Sequence, residues 1–137
     1  MKSSLPLSLI TAYEETDYYV SDDPPLLLKV GEPNDDARVL LASFGVRTAA
    51  FITAWNPGSE KLDDEVNEAR QAELLSKIEE MRLNYFVGWG ERGDWREFSY
   101  LILGISIENA TRLGHQFGQN AFIWMDLEGV PQLVSLV

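Results

Sequence analysis

TAAFITAWNPGS, residues 48–59, carries the strongest signal for the fold. Its first eight positions are apolar on both alternating sets, with β-branched and aromatic side chains, so neither face suits water. Such a run is a strand covered on both sides. Asn56-Pro57-Gly58-Ser59 then ends it, because proline offers no ladder donor and all four residue types favour turns. A strand of this kind needs other strands beside it and helices packed against it.

Those neighbours can be read outward in both directions. Residues 62–82 give the longest helical pattern, NYFVGW reads as a strand, and Gly90 to Asp94 as a turn. FSYLILGI is a second strand that is apolar on both faces. Ser106 caps a helix with Glu108 and Asn109 in its first turn and Ile107, Ala110, Leu113, Gly114 and Phe117 on one face. NAFIWMD and VPQLVSLV form a hairpin around Glu128-Gly129, with Pro131 marking an edge strand. On the other side, Asn34 caps a helix that carries Asp35 and Asp36 in its first turn and stops at Gly45. TDYYV and LLLKV precede it as strands, parted by the turn Asp22-Asp23-Pro24-Pro25, and residues 5–13 suit a short first helix.

The order α-β-β-α-β-α-β-β-α-β-β predicts an α+β fold in a single domain over residues 1–137. Its sheet is expected to be mostly antiparallel, of about six or seven strands, with three or four helices packed mainly on one side.

Composition bounds the function. With 45% hydrophobic residues, four Trp, five Tyr and six Phe, the chain has material for one core. It has no cysteine, which removes disulfides, thiolate metal sites and cysteine nucleophiles. The formal net charge of −11 disfavours nucleic acid and anionic membrane surfaces as partners. The acids gather in 14–36 and 60–80, which suits either a solvated surface or a docking face for a basic protein partner. The opening MKSSLPLSLITAYEE is broken by Pro6 and Ser8 and runs into Glu14 and Glu15, so it is not read as a signal peptide. No run reaches membrane-span length, and a cytoplasmic location is the expectation.

Polar residues in apolar settings mark the candidate site. On the helix over 62–82, Leu62, Val66, Leu74, Ile78 and Met81 define an apolar arc that also holds Arg70 and Asn67. A guanidinium facing a core needs an anion, from the protein or from a ligand. In WREFSYL the two-residue period puts Trp95, Glu97 and Ser99 on one face, which makes Glu97 the expected partner of Arg70, with Asn67 and Ser99 completing the hydrogen bonds. A purely structural network is the competing reading. Asn56 and Ser59, at the end of a buried strand, stand where loop groups commonly meet ligands, although the same residues also make ordinary turns.

Other motifs are missing. His115 is the single histidine and reads as a surface residue, and no HxxxH, CxxC or EF-hand spacing supports a metal. There is no GxSxG, phosphate-binding loop or GxGxxG; VGWGERGDW precedes a strand and reads as a turn, so no cofactor is expected. Whether the chain is an enzyme stays open.

The ordered set AYEETDYYV, FITAWNPGS, Asn67…Arg70…Leu74, WREFSYLILGIS and ATRLGHQFGQNAFIW resembles the bacterial domain of unknown function 3293 family, from about Leu9 to Val134. The resemblance implies recurrent polar positions at Tyr13, Thr16, Tyr18, Thr53, Asn56, Ser59, Asn67, Arg70, Glu97, Ser99, Gln119 and Asn120. Phe98 departs from it, since the family usually carries a second acid there. The leading expectation is a small-ligand binding module in which Asn56, Ser59, Asn67, Arg70, Glu97, Ser99 and Gln119 form a polar pocket between the long helix and the sheet, taking a small polar or anionic ligand. An acidic regulator or immunity-like inhibitor of a basic protein, and a domain whose polar cluster only holds the fold, are the alternatives.

Overall fold

The computed structural model describes residues 5–22 and 24–137. Its elements are α1 (Leu7–Glu15), β1 (Asp17–Val20), β2 (Leu26–Leu28), α2 (Asp35–Ser43), β3 (Ala49–Ile52), α3 (Asp64–Glu80), β4 (Tyr85–Arg92), β5 (Trp95–Leu103), α4 (Ile107–Gln116), β6 (Ala121–Met125) and β7 (Gln132–Ser135), with a 3₁₀ turn at Pro57–Ser59. The order is the expected one, and the fold is α+β. Seven strands lie in the order β2-β1-β4-β5-β3-β6-β7, every neighbouring pair antiparallel. The turn expected at residues 22–25 includes Asp23, which lies outside the described residues, as do residues 1–4.

Strand β3 sits inside the sheet between β5 and β6, and its alternation sets the layers. Ala49 and Phe51 join Leu101, Leu103, Ile123 and Met125 in a core with Ala37, Leu40 and Leu41 of α2. Ala50 and Ile52 turn the other way, joining Tyr100, Ile102 and Phe122 against Leu74 and Ile78 of α3, Leu113 of α4 and Phe117 just after it. Each fully buried Leu, Ile or Phe contributes about 1.5–3 kcal/mol, so both faces of β3 are strongly anchored. The two longer helices, α3 and α4, share one face, and α2 covers the other together with Tyr13 of α1, so the helices divide between the faces instead of packing mainly on one side as expected. Helix α1 has no fully buried residue; its Tyr13 packs against the α2-side core.

The caps act where expected. The Asn34 side chain accepts from the Ala37 N–H at 2.9 Å, and Ser106 Oγ accepts from the Asn109 N–H at 3.1 Å. Gly45 follows α2 in the left-handed region with φ of 65°.

Two local expectations need correction. Gly90 to Asp94 is not all turn: β4 continues to Arg92, and only Gly93-Asp94 reverse the chain. Gly88 answers to packing, since a Cβ there would lie 2.5 Å from the Tyr19 carbonyl oxygen and 2.7 Å from the Phe51 ring, while Gly93 makes the turn with φ of 59°. Val66, placed in the apolar arc, is 46% exposed, while Asn67 and Gln71 are buried. The first half of α3 therefore turns a polar edge inward, and its apolar packing begins at Leu74. Among the described residues, no helix is long and apolar enough to cross a membrane.

Candidate functional site

The segment leaving β3 is held by side chains of α3. Asn67 Oδ1 accepts from the Asn56 N–H at 2.8 Å, and Gln71 Oε1 accepts from the Ala54 N–H at 3.0 Å. Asn67 Nδ2 donates to Asn56 Oδ1 at 2.8 Å and to the Leu62 carbonyl at 3.2 Å. Asn56 Oδ1 also accepts from the Leu62 N–H at 3.0 Å, which closes the loop just before α3 begins. The helix starts at Asp64 rather than at 62 because Leu62 spends its backbone groups on these amides. Asn56 and Ser59 both take left-handed backbone conformations, with φ of 45° and 63°, costly for residues with a Cβ.

Arg70 and Glu97 form no ion pair, contrary to expectation. Arg70 Nε donates to the Ala54 carbonyl at 3.0 Å, and Nη2 to the Phe117 carbonyl at 2.5 Å. Phe117 is the C-cap of α4, whose exposed carbonyls carry partial negative charge and satisfy a cation without a carboxylate. The Arg70 guanidinium also lies 5.9 Å from the Phe117 ring centroid. The geometric reason is the parity of β5. Glu97 and Ser99 share their register face with Leu101 and Leu103, on the α2 side, whereas α3 covers Tyr100 and Ile102. Arg70 thus clamps the end of β3 to the end of α4.

Glu97 faces a cleft of about 720 Å³ bounded by α1, the loop after β3, the tip of the β4–β5 hairpin and residues 119–120. The Asn56 Nδ2 donates to Glu97 Oε2 at 3.1 Å, and among the described residues this is the only side chain bonded to the carboxyl. Burial pushes the Glu97 carboxyl up to about 7, opposed by the Asn56 hydrogen bond. Burial, with a smaller contribution from the charge of Glu97, pushes the Tyr13 hydroxyl up to about 12. Tyr18 is raised too, by burial first, with Tyr13 and Glu97 adding and the Thr16 hydrogen bond opposing. A smaller hollow of about 40 Å³ shares Tyr13 and Glu97 and reaches Ser99 and Thr53.

Asn56, Ser59, Glu97 and Gln119 therefore line one cleft, and Ser99 lines the hollow beside it. Asn67 and Arg70 line neither and act behind the loop. The pocket expected between the long helix and the sheet lies instead beside α1, which supplies Leu9, Ala12 and Tyr13. Gln119 Nε2 donates to the carbonyls of Trp55 and Phe117, both at 3.3 Å, and Asn120 Nδ2 donates to Ser59 Oγ at 3.2 Å. The local patterns around Glu97 and Arg70 did not single out Trp55 or Lys61 as cleft residues. Trp95 was legible only as sharing a strand face with Glu97. His115 is exposed.

Residues 52–122 match the family model described as a protein of unknown function, DUF3293. The chain belongs to that family. The matched DUF3293 segment carries Asn56, Ser59, Asn67, Arg70, Glu97, Ser99 and Gln119, while Tyr13, Thr16 and Tyr18 stand outside it. One wall of the cleft is therefore added from outside the matched segment. Comparison with curated proteins and with solved structures yields no match.

Proposed function

We propose that this DUF3293 protein is a small-ligand binding module and that its site is the cleft beside α1. One observation carries the reading. The half-buried Glu97 carboxyl opens into about 720 Å³ of space and has, among the described residues, a single side-chain donor, Asn56, and no paired cation. A group so placed is costly to the fold, and charges the fold would prefer to lose are typical of binding sites. Two strained left-handed residues, Asn56 and Ser59, line the same cleft. Arg70 gives no support to an anionic ligand, because its donors are spent on backbone carbonyls behind the loop.

The test is a small-molecule fragment screen read by amide chemical shifts. Binders should perturb signals from Tyr13, Trp55, Glu97 and Gln119 together, and lose affinity in the Gln119→Ala and Glu97→Gln variants. Binders that cluster on another surface, indifferent to both changes, would defeat the assignment.

A further inference from the structure

The chemical character of the cleft narrows the ligand class, an inference that rests on the binding reading above. Two polar groups of the cleft, Glu97 and Gln119, offer acceptor oxygens. Glu97 Oε1 has no partner among the described residues, since Asn56 reaches only Oε2. Gln119 is 8% exposed, and both contacts of its Nε2 are with carbonyls, which fixes the amide orientation and leaves Oε1 free to accept. Ligand atoms that meet these two oxygens must therefore donate.

Aromatic residues surround these acceptors. Tyr13, Trp55, Trp95 and Phe98 line the same cleft, and the rings of Trp55 and Phe98 meet edge to face at 5.7 Å. Ring faces beside a carboxylate attract organic cations and exclude the water that would otherwise solvate the charge.

Two of the protein's own cations, Arg92 and Arg96, line the cleft, each beside an acid that does not, and Arg96 also lies 5.7 Å from the Phe98 ring centroid. Arg92 pairs with Glu15 at 3.0 Å. Arg96 reaches Glu91 at 3.7 Å and lies 4.8 Å from the centroid of Trp89. Lys61, Asp64 and Asp94 also line the cleft and make no ion pair among the described residues, so the unpaired charges there are Glu97, Asp64 and Asp94 against Lys61. The net charge of −11 adds a field that concentrates cations near the surface.

We infer that the cleft binds a small organic ammonium, a primary amine on an apolar stem, with Glu97 and Gln119 accepting its N–H groups and Tyr13, Trp55 and Trp95 enclosing the stem. Benzylamine, benzyl alcohol and benzoate form a probe set of one shape and three charges. Titrated into the protein and followed by amide chemical shifts, benzylamine should shift the cleft residues at lower concentration than the other two. Glu97→Gln, which keeps the shape and the Asn56 contact, should weaken benzylamine at least tenfold and benzyl alcohol far less. Trp95→Ala, at a position 41% exposed and outside both buried core clusters, should weaken benzylamine as well. Benzoate or benzyl alcohol binding in the cleft as tightly as benzylamine would overturn the ammonium assignment while leaving the binding site in place. Failure of all three probes and of every fragment in the wider screen to perturb the cleft would overturn both.

Discussion

The Asn56 side chain links Glu97 to Asn67 across the end of the sheet, donating to Glu97 Oε2 at 3.1 Å and accepting from Asn67 Nδ2 at 2.8 Å. Glu97 belongs to the face shared with α2, and Asn67 to the helix on the opposite face. One loop residue thus couples the carboxyl that faces the cleft to the long helix behind it.

Asn56→Ala removes the acceptor for Leu62 N–H and Asn67, removes the donor to Glu97, and leaves a β-carbon in the left-handed conformation without the hydrogen bonds that hold it there. A loss of about 3 kcal/mol is expected from these together. Asn56→Gly loses the same hydrogen bonds but relieves the backbone, so it should be about 1 kcal/mol less harmful. Urea unfolding of the two variants measures the difference. Equal stabilities would show that the left-handed conformation does not persist in solution.

Arg70→Met breaks hydrogen bonds to two carbonyls and should cost about 2 kcal/mol. Glu97 is not its partner, so the double change Arg70→Met with Glu97→Gln should equal the sum of the single changes within about 0.5 kcal/mol. A double-mutant cycle by chemical denaturation gives the number directly. A coupling energy well above that would restore the ion pair that the β5 register argues against.

Stability should carry a pH signature from Glu97. Its folded pKa of about 7 lies above the ordinary value of 4.5, so between the two the folded state holds a proton that the unfolded chain has lost. The contribution is fully present below pH 4.5 and is lost as pH rises through 7. Its full size is at most about 3 kcal/mol. The Glu97→Gln variant lacks this term, so its stability relative to wild type should rise from pH 4.5 to 8 and then level off. A difference between the two proteins that stays flat over that range would show an unshifted carboxyl.

Gly88→Ala should be far more disruptive than Gly90→Ala. The added carbon at 88 meets the Tyr19 backbone oxygen at 2.5 Å, whereas at 90 its nearest neighbours are side-chain carbons of Tyr18 and Thr16 at 3.3 and 3.4 Å. A cost above about 2 kcal/mol is expected at 88 and under about 1.5 at 90. Thermal unfolding followed by circular dichroism distinguishes them, and comparable midpoints would mean that β1 and β4 are less closely paired than their register requires.

The fold was legible wherever one short stretch determines one element. TAAFITAW named its own burial, and Asn34 and Ser106 announced their helices through capping. The glycines of VGWGERGDW misled because a glycine that makes room for a neighbouring strand looks, in one sequence, like a glycine that turns the chain. Period two correctly grouped Trp95, Glu97 and Ser99, but it cannot say which helix covers their face, and Arg70 was matched to the wrong side for that reason. Val66 was misplaced because the arc was drawn as if the helix began at 62, where Leu62 is tied to Asn56 and Asn67. Asn56, Ser59, Glu97 and Gln119 belong to an expected set of seven with Asn67, Arg70 and Ser99, Gln119 through the family resemblance alone, and Asn67 and Arg70 lie behind the loop. The cleft that unites the first four needs α1 brought across to the β4–β5 hairpin, a long-range arrangement that no local pattern encodes.

Helix α1 lends the cleft Leu9, Ala12 and Tyr13 yet sinks none of its nine residues fully into the protein. The remaining walls belong to a sheet and a loop tied down from both faces. On the binding reading proposed above, a guest would come and go by the fraying of one short helix, with the sheet undisturbed. Residence time in the cleft is then governed by how firmly that helix is seated, and occupancy should be felt first as slower exchange of the α1 amide protons.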